Sequence, residues 1–277
     1  MRCVVAAIAA IILFGPSAAA AWTASHPGTV HPPKVMPTNF GSTWQVYRPN
    51  GVDAWAIPPT TRDAPVIVMV HGYRQPRSDL RELANHLHDR NYGIVLIELA
   101  YLDGSEPYSG GGHEARSVCQ AVSWARNMFH HRVVLAGYSA GGFASSLAVG
   151  NGCVVSALIT DSAFVDAAST FRHAAAQRTH LPKFAFFALR PAYFIASGGG
   201  SLRNVRAHTR RWITPTFIIH GAADTYVPPR NAKQLHAVTA GKVWLVKGAN
   251  HGQAWYKGPT EYENRVDSFI RNALHAR

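Results

Sequence analysis

Apolar and polar positions along this chain switch repeatedly between two periods. Pro65-Val66-Ile67-Val68-Met69-Val70 is a continuous, largely β-branched run, the pattern of a strand buried on both faces. Immediately after it, Leu80, Leu83, Ala84 and Leu87 recur at helical spacing within 79–90. The pairing repeats downstream, with strand 94–99 before helix 114–130, strand 133–136 before helix 140–149, and then strand 154–160. After a long interruption come strand 216–219, helix 230–238, strand 243–246 and a closing helix over 260–273. Strands alternating with helices of this length predict an α/β fold, a mostly parallel sheet covered on both faces. Upstream, 44–48 and 52–57 flank Asn50-Gly51, a strong hairpin signal.

The first residues follow another logic. Met1-Arg2 carries a positive charge, 3–14 is an unbroken apolar run, and Gly15-Pro16 interrupts it. Ala19-Ala20-Ala21 before Trp22 supplies the small side chains that a signal peptidase needs, completing the layout of a secretory signal peptide. The twelve-residue run falls short of the roughly 20 that a spanning helix requires. The expected organisation is a signal peptide over 1–21, an extended Pro/His-rich leader over 22–41, and one α/β domain over 42–277. The mature chain is expected to be exported, periplasmic or extracellular, with no transmembrane span. Cleavage removes Cys3 and leaves Cys119 and Cys153, which in an oxidising compartment suggest one disulfide. Two buried free thiols are the alternative.

Composition narrows the class. With 277 residues, 47% hydrophobic and 15% charged, the chain is neither disordered nor a small disulfide scaffold. Its formal net charge of +12 favours anionic surfaces or substrates. The segment 167–213, which interrupts the strand–helix alternation, holds eight Lys and Arg residues, and no Asp or Glu occurs from 167 to 223. Phe171, Phe184, Phe186, Phe187 and Phe194 lie within it, so it reads as a cap insertion laid over the carboxyl edge of the sheet. Such a cap suits contact with acyl chains on an anionic surface, but the preferred reading is that its apolar residues pack it onto the body with the arginines solvated. The chain shows no nucleic-acid motif.

The chemistry lies in short blocks. Gly137-Tyr138-Ser139-Ala140-Gly141 fits G-x-S-x-G between a β-branched strand and a helix, where a sharp turn presents a serine hydroxyl. A serine needs a base, and the base an orienting acid. Asp224, in a Gly- and Pro-bearing loop after strand 216–219, is the candidate acid, with Asp161 as its competitor. His251, in Gly248-Ala249-Asn250-His251-Gly252 after the next strand, is the candidate base. His71-Gly72-Tyr73 follows the first buried strand, so the main-chain N–H groups of Tyr73 and Ala140 are the candidate oxyanion donors. Gly110-Gly111-Gly112 lacks the lysine of a phosphate loop and reads as a loose entry into the next helix.

The order HG-x, GYSAGG, cap, HGAADTYVPP, GANHGQAW resembles the α/β-hydrolase superfamily, and within it bacterial serine-aminopeptidase-like and BEM46-like hydrolases. The resemblance spans roughly residues 42–275. It implies a Ser139–Asp224–His251 triad, a Tyr73/Ala140 oxyanion hole and no cofactor or metal. It does not imply a substrate, because this fold hosts esterases, thioesterases, lipases and peptidases. Where many relatives carry R-G-x-G-x-S, this chain has Ala100-Tyr101-Leu102-Asp103-Gly104-Ser105. A small-molecule or lipid-like ester is the expected substrate. A peptidase is the alternative within the fold, and a non-catalytic binding protein the alternative outside catalysis.

Overall fold

The computed structural model describes residues 2–30, 45–47, 52–61, 63–130, 132–208 and 212–275. Most of the expected leader, 31–41, and the Asn50-Gly51 turn lie outside the described residues. In chain order the elements are α1 (Arg2–Ser25), β1 (Gln45–Tyr47), β2 (Ala54–Ile57), β3 (Val66–Val70), α2 (Arg81–His88), β4 (Gly93–Ile97), α3 (Gly112–Phe129), β5 (Val133–Tyr138) and α4 (Ala140–Gly150). They continue as β6 (Ala157–Asp161), α5 (Ala167–Thr179), α6 (Leu189–Ala196), β7 (Thr216–Gly221), α7 (Arg230–Thr239), β8 (Lys242–Val246), α8 (Ala254–Lys257) and α9 (Pro259–His275).

The strands form one sheet of order β1-β2-β4-β3-β5-β6-β7-β8. The β1–β2 and β2–β4 pairs are antiparallel and the others parallel. Because side chains alternate along a strand, each β-branched run divides its residues between two cores. Val66, Val68, Val70, Val95, Ile97 and Leu135 pack with Val118 and Val122 of α3 and Phe143 and Leu147 of α4. Ile67, Met69, Ile94, Leu96 and Val134 pack on the other face with Leu83 and Leu87 of α2 and Val266 and Ile270 of α9. Strands buried on both faces explain the unbroken apolar runs.

The sheet order also positions the chemistry. The chain leaves β3 toward β4 on one side and returns through α3 to β5 on the other, so the topology reverses between β3 and β5. At such a switch point the loops after two strands diverge and open a crevice at their carboxyl ends. The loop after β3 is His71-Gly72-Tyr73, and the turn after β5 holds Ser139.

Several local features differ from the sequence reading. Gly15-Pro16 does not end the apolar helix: α1 runs to Ser25, with Pro16 inside it, so residues 22–25 are helical and not extended. Its stretch Ile8–Ser25 is, among the described residues, the one helix long and apolar enough to cross a membrane. Here it lies on the cap, with Phe14 packed near Phe187 (ring centroids 5.5 Å apart) and Ser17 Oγ accepting from the Ala188 N–H at 3.2 Å. Gly110 and Gly111, at φ 81° and 110°, form a held turn instead of a loose entry. There the Glu114 carboxylate accepts from the Ser109 N–H, the Ser109 hydroxyl and the Gly111 N–H. The short helix α8 has no counterpart in the predicted elements, being too brief to show a period.

Within the segment expected to form a cap, the described residues 167–208 hold α5, α6 and two 3-10 turns, Lys183–Phe186 and Val205–His208. Phe186, Leu189 and Tyr193 are buried under it, while Phe184, Phe194 and Ile195 are exposed at 78%, 59% and 79%. Cys119 of α3 and Cys153, just after α4, are joined as a disulfide with Cα atoms 5.6 Å apart.

Candidate active site

Ser139 stands between β5 and α4 at φ 51° and ψ −114°, a region that L residues rarely adopt. The turn is tight enough to exclude side chains around it. A Cβ on Gly137 would sit 2.5 Å from the Gly141 carbonyl oxygen, and one on Gly141 would sit 2.3 Å from that of Val70 and 2.4 Å from that of His71. The G-x-S-x-G glycines therefore allow α4 to begin directly against the end of β3.

The candidate base and acid arrive from the loops after β8 and β7. His251 Nε2 is 2.9 Å from Ser139 Oγ, and His251 Nδ1 is 2.7 Å from Asp224 Oδ2. Asp224 Oδ1 accepts the N–H groups of Tyr226 (3.0 Å) and Val227 (2.8 Å), which fixes the carboxylate plane. Burial works to raise the Asp224 pKa. Hydrogen bonds from His220 and His251, the His251 charge and the Val227 N–H outweigh it and hold the value down to about 2. With Asp224 ionised, Nδ1 of His251 carries the proton, and Nε2 is free to accept from Ser139.

The loop after β3 borders this row. His71 is fully buried; the Leu99 N–H donates to its Nε2 (3.0 Å), so its Nδ1–H donates to the Gly72 carbonyl (2.8 Å). A Cβ on Gly72 would lie 3.5 Å from Ser139 Cβ, so the main chain leading into Tyr73 runs beside the serine. Ala140, as the first residue of α4, has an N–H without an intrahelical acceptor. The two expected oxyanion donors thus come from adjacent backbone segments.

Asp161, the competing acid, ends β6 at the same cleft but is held by other partners. Its Oδ1 accepts from Ser162 Oγ at 2.9 Å and its Oδ2 from the Tyr262 hydroxyl at 3.1 Å, and burial raises its pKa. Sequence reasoning passed over Ser162, Tyr262, His220 and Asn250. Ser162, at φ 54°, accepts the Gly252 N–H at 3.1 Å and so anchors the histidine loop. Asn250 Oδ1 accepts the His251 N–H (2.9 Å) and the Thr225 N–H (3.4 Å), tying the acid loop to the base loop. His220, fully buried, donates its Nε2–H to the Val227 carbonyl at 2.7 Å and stands 3.3 Å from Asp224 Oδ2. Ser162, His220 and Asn250 lie in or beside stretches that the pattern singled out and Tyr262 lies in the closing helix, yet only the folded chain reveals their partners.

Ser139 and His251 open into a cleft of about 1000 Å³. Its walls are largely apolar, with Tyr73, Phe171, Leu181 and Trp255 among them, and α1 contributes Pro16, Ala19, Ala20, Thr23 and Ala24. The Tyr73 hydroxyl donates to the carbonyls of Thr23 and Ala24, each at 3.0 Å. A hollow of about 1170 Å³ lies at the amino edge of β7 and β8, near Trp212, Lys242 and Arg265. Its lining includes neither Ser139 nor His251. Among the described residues no cluster of His, Cys, Asp and Glu is arranged to hold a metal ion.

Comparison with known proteins bears on this arrangement. The sequence profile of the prolyl oligopeptidase family matches residues 110–274. No curated protein sequence matches. Among solved structures, the chain is similar to an esterase of Pyrococcus furiosus, with TM-score 0.73 and 18% identity over 90% of this chain and 97% of that one. It is similar to a puromycin-hydrolyzing peptidase of Mycobacterium tuberculosis, with TM-score 0.65 and 19% identity over 87% of this chain and 41% of that one. A putative lipase of Acinetobacter baumannii has TM-score 0.65 and 12% identity over 86% of this chain and 94% of that one. At these identities the structural likeness speaks to the fold.

Proposed function

Because this chain belongs to the prolyl oligopeptidase family of hydrolases on the α/β-hydrolase fold, we propose that it cleaves carboxylic esters or thioesters through an acyl-enzyme on Ser139. The observation that carries the reading is the continuous row Ser139 Oγ–His251 Nε2–His251 Nδ1–Asp224 Oδ2, at 2.9 and 2.7 Å, on a strained turn beside an apolar cleft. Ser139 Oγ attacks the carbonyl carbon as its proton passes to His251 Nε2. The carbonyl π electrons move onto oxygen, where the Tyr73 and Ala140 N–H groups stabilise the negative charge by roughly 3 kcal/mol per donor. Collapse expels the alkoxide or thiolate, which takes the proton from His251. Water, deprotonated by His251, then attacks the acyl carbon, and the acid leaves as Ser139 regains its proton. Asp224 stays ionised throughout and keeps the imidazole oriented.

The ester reading is supported by the similarity to an esterase over 97% of that chain's length; the chain spans only 41% of the peptidase. The family match favours a second reading, a serine peptidase acting on an amide through the same row. Short p-nitrophenyl esters and aminoacyl p-nitroanilides, assayed with wild type and Ser139→Ala, separate the two. Ester turnover that disappears in the variant is expected; anilide turnover without ester turnover would overturn the ester reading in favour of the peptidase.

The apolar helix α1 supports export as a further part of this reading, with Ala19-Ala20-Ala21 as the cleavage site. Cleavage there would strip Pro16, Ala19 and Ala20 from the cleft and widen it. N-terminal sequencing of protein from the culture medium or periplasm should begin at Trp22, and a chain found only uncleaved in the cytoplasm would refute export. The acid-free cap, with Phe184 and Ile195 exposed, supports contact with anionic lipid. Co-sedimentation of Ser139→Ala with liposomes should then increase with anionic lipid content, and indifference to it would refute the contact.

A further inference from the structure

Two cations in the cleft are left over by the proposed chemistry. Arg74 follows Tyr73 directly and is held at φ 60°, while Arg178 lies in the last turn of α5, in the cap. Both line the cleft that holds Ser139 and His251. They come from different elements, the loop after β3 and α5, yet both guanidinium groups act on the same two phenols, Tyr73 and Tyr226, favouring their ionised forms. Tyr226 in turn packs against His251 with ring centroids 5.1 Å apart. The two positive charges therefore converge on the reacting end of the cleft.

Among the described residues, no ion pair neutralises either arginine. Ion pairs among the described residues employ Arg77, Arg90, Arg190, Arg265 and Arg271, and none involves Arg74 or Arg178. The cleft's two acids do not answer them. Asp161 is occupied by Ser162 and Tyr262, and Asp79 has its pKa raised by burial with no cation acting on it. The cap itself has no acid to offer. Guanidinium groups bind carboxylate and phosphate oxygens through paired N–H donors, and an apolar surround strengthens the attraction.

We propose that Arg74 and Arg178 form an anion clamp that selects substrates carrying a carboxylate or phosphate group on an otherwise apolar chain. The clamp rests on the proposed ester hydrolysis at Ser139 for its catalytic meaning, but binding by itself does not. An anionic group held between the two arginines lies next to the oxyanion loop, so it fixes the scissile carbonyl relative to Ser139 while the chain occupies the apolar walls. The preference is for the charge on the substrate, not for its source, which is a dicarboxylic acid half-ester in one case and a phosphorylated lipid in the other.

Two experiments on the full chain test this. The first compares kcat/KM for the mono-p-nitrophenyl ester of glutaric acid with that for its methyl-capped neutral counterpart, in wild type, Arg74→Gln, Arg178→Gln and the double variant. The anionic substrate should be favoured by about tenfold at low salt. That ratio should fall toward one in the double variant and in high salt. A wild-type ratio of one or below, or a ratio unchanged in the double variant, overturns the clamp. The second uses Ser139→Ala and follows binding of monododecyl phosphate, dodecanoate and dodecanol by calorimetry. Tighter binding of either anion than of the alcohol, lost when both arginines are replaced, supports the clamp even if no ester is turned over, and the tighter anion identifies the source. Equal binding of anions and alcohol refutes it whatever the fate of the ester reading.

Discussion

Replacing Asp224 with Asn should nearly abolish turnover while leaving the fold in place, and the structure dictates how. The carboxylate is held from two directions. Oδ1 accepts two backbone N–H groups, from Tyr226 and Val227, while Oδ2 faces His251 Nδ1 at 2.7 Å and His220 Nε2 at 3.3 Å. In the variant the amide oxygen must take the Oδ1 position, because an NH2 group there would meet two donors. The NH2 group then occupies the Oδ2 position and can only donate to His251 Nδ1. The imidazole proton is forced onto Nε2, which turns from an acceptor into a donor toward Ser139 Oγ at 2.9 Å. The base is lost although every heavy atom keeps its place.

A wrong tautomer of this kind costs on the order of 10⁴ in kcat, about 5.5 kcal/mol in the barrier. The assay is kcat on a short p-nitrophenyl ester for wild type and Asp224→Asn, with far-ultraviolet circular dichroism and urea unfolding to establish that the variant is folded. Because Asp224 has its pKa held to about 2, the wild-type carboxylate stays ionised down to mildly acidic pH. The gap between the proteins should therefore persist from neutral to weakly acidic conditions. A folded variant that loses less than about tenfold would refute the tautomer argument and reopen Asp161 as the acid.

Three further outcomes follow from the packing. Gly141→Ala forces a Cβ to within 2.4 Å of two backbone oxygens at the end of β3, so urea unfolding should show a loss of about 3 kcal/mol or more, whereas Gly258→Ala, whose nearest neighbour is 3.8 Å away, should stay within about 0.5 kcal/mol. Equal stability of the two would count against the close approach. Replacing Cys119 and Cys153 by Ala opens a loop of sequence separation 34 and should lower stability by about 3 to 4 kcal/mol, while an unchanged urea midpoint in wild type with and without reductant would show the bond to be absent in solution. The buried pair His71 and Glu98, 3.1 Å apart, makes opposite contributions with pH. Burial lowers His71 from 6.5 to about 4, so its contribution to stability is lost as pH falls through that window; burial raises Glu98, against the pull of Arg77, from 4.5 to about 7, so its contribution is lost as pH rises. The two slopes nearly cancel over the shared interval. In Glu98→Gln only the histidine slope remains, and stability should climb with pH from about 4 to 6.5 by up to about 3 kcal/mol, a trend that thermal melts across this range would detect or deny.

Much of the architecture was legible in short stretches of the chain. The run 65–70 became β3 (Val66–Val70), the 114–130 periodicity became α3 (Gly112–Phe129), and the closing 260–273 pattern became α9 (Pro259–His275). Those elements depend on the burial of contiguous side chains, which a hydrophobic period reports directly. Where a period was too short or was overridden by packing, it misled. Residues 79–90 divide into a 3-10 turn at Arg77–Leu80 and the shorter α2, four residues of α8 left no trace, and Pro16 sits within α1 even though a proline removes one helical donor.

What the sequence determined by itself was which groups could do chemistry and in what order they occur. A serine in G-x-S-x-G, an aspartate in a Gly- and Pro-bearing turn and a histidine between Asn250 and Gly252 are local patterns, and local backbone sterics suffice to read them. Tertiary structure alone decided which groups meet. Ser139 and His251, 112 positions apart, come within 2.9 Å because the sheet places β5, β7 and β8 with their carboxyl ends at one edge. The choice of Asp224 over Asp161 depends on which way each carboxylate faces once its loop is packed. Likewise Arg74 and Arg178 become one site only when α5 is laid across the cleft. Strand order and loop orientation arise from contacts between residues far apart in the chain, and no local period encodes them.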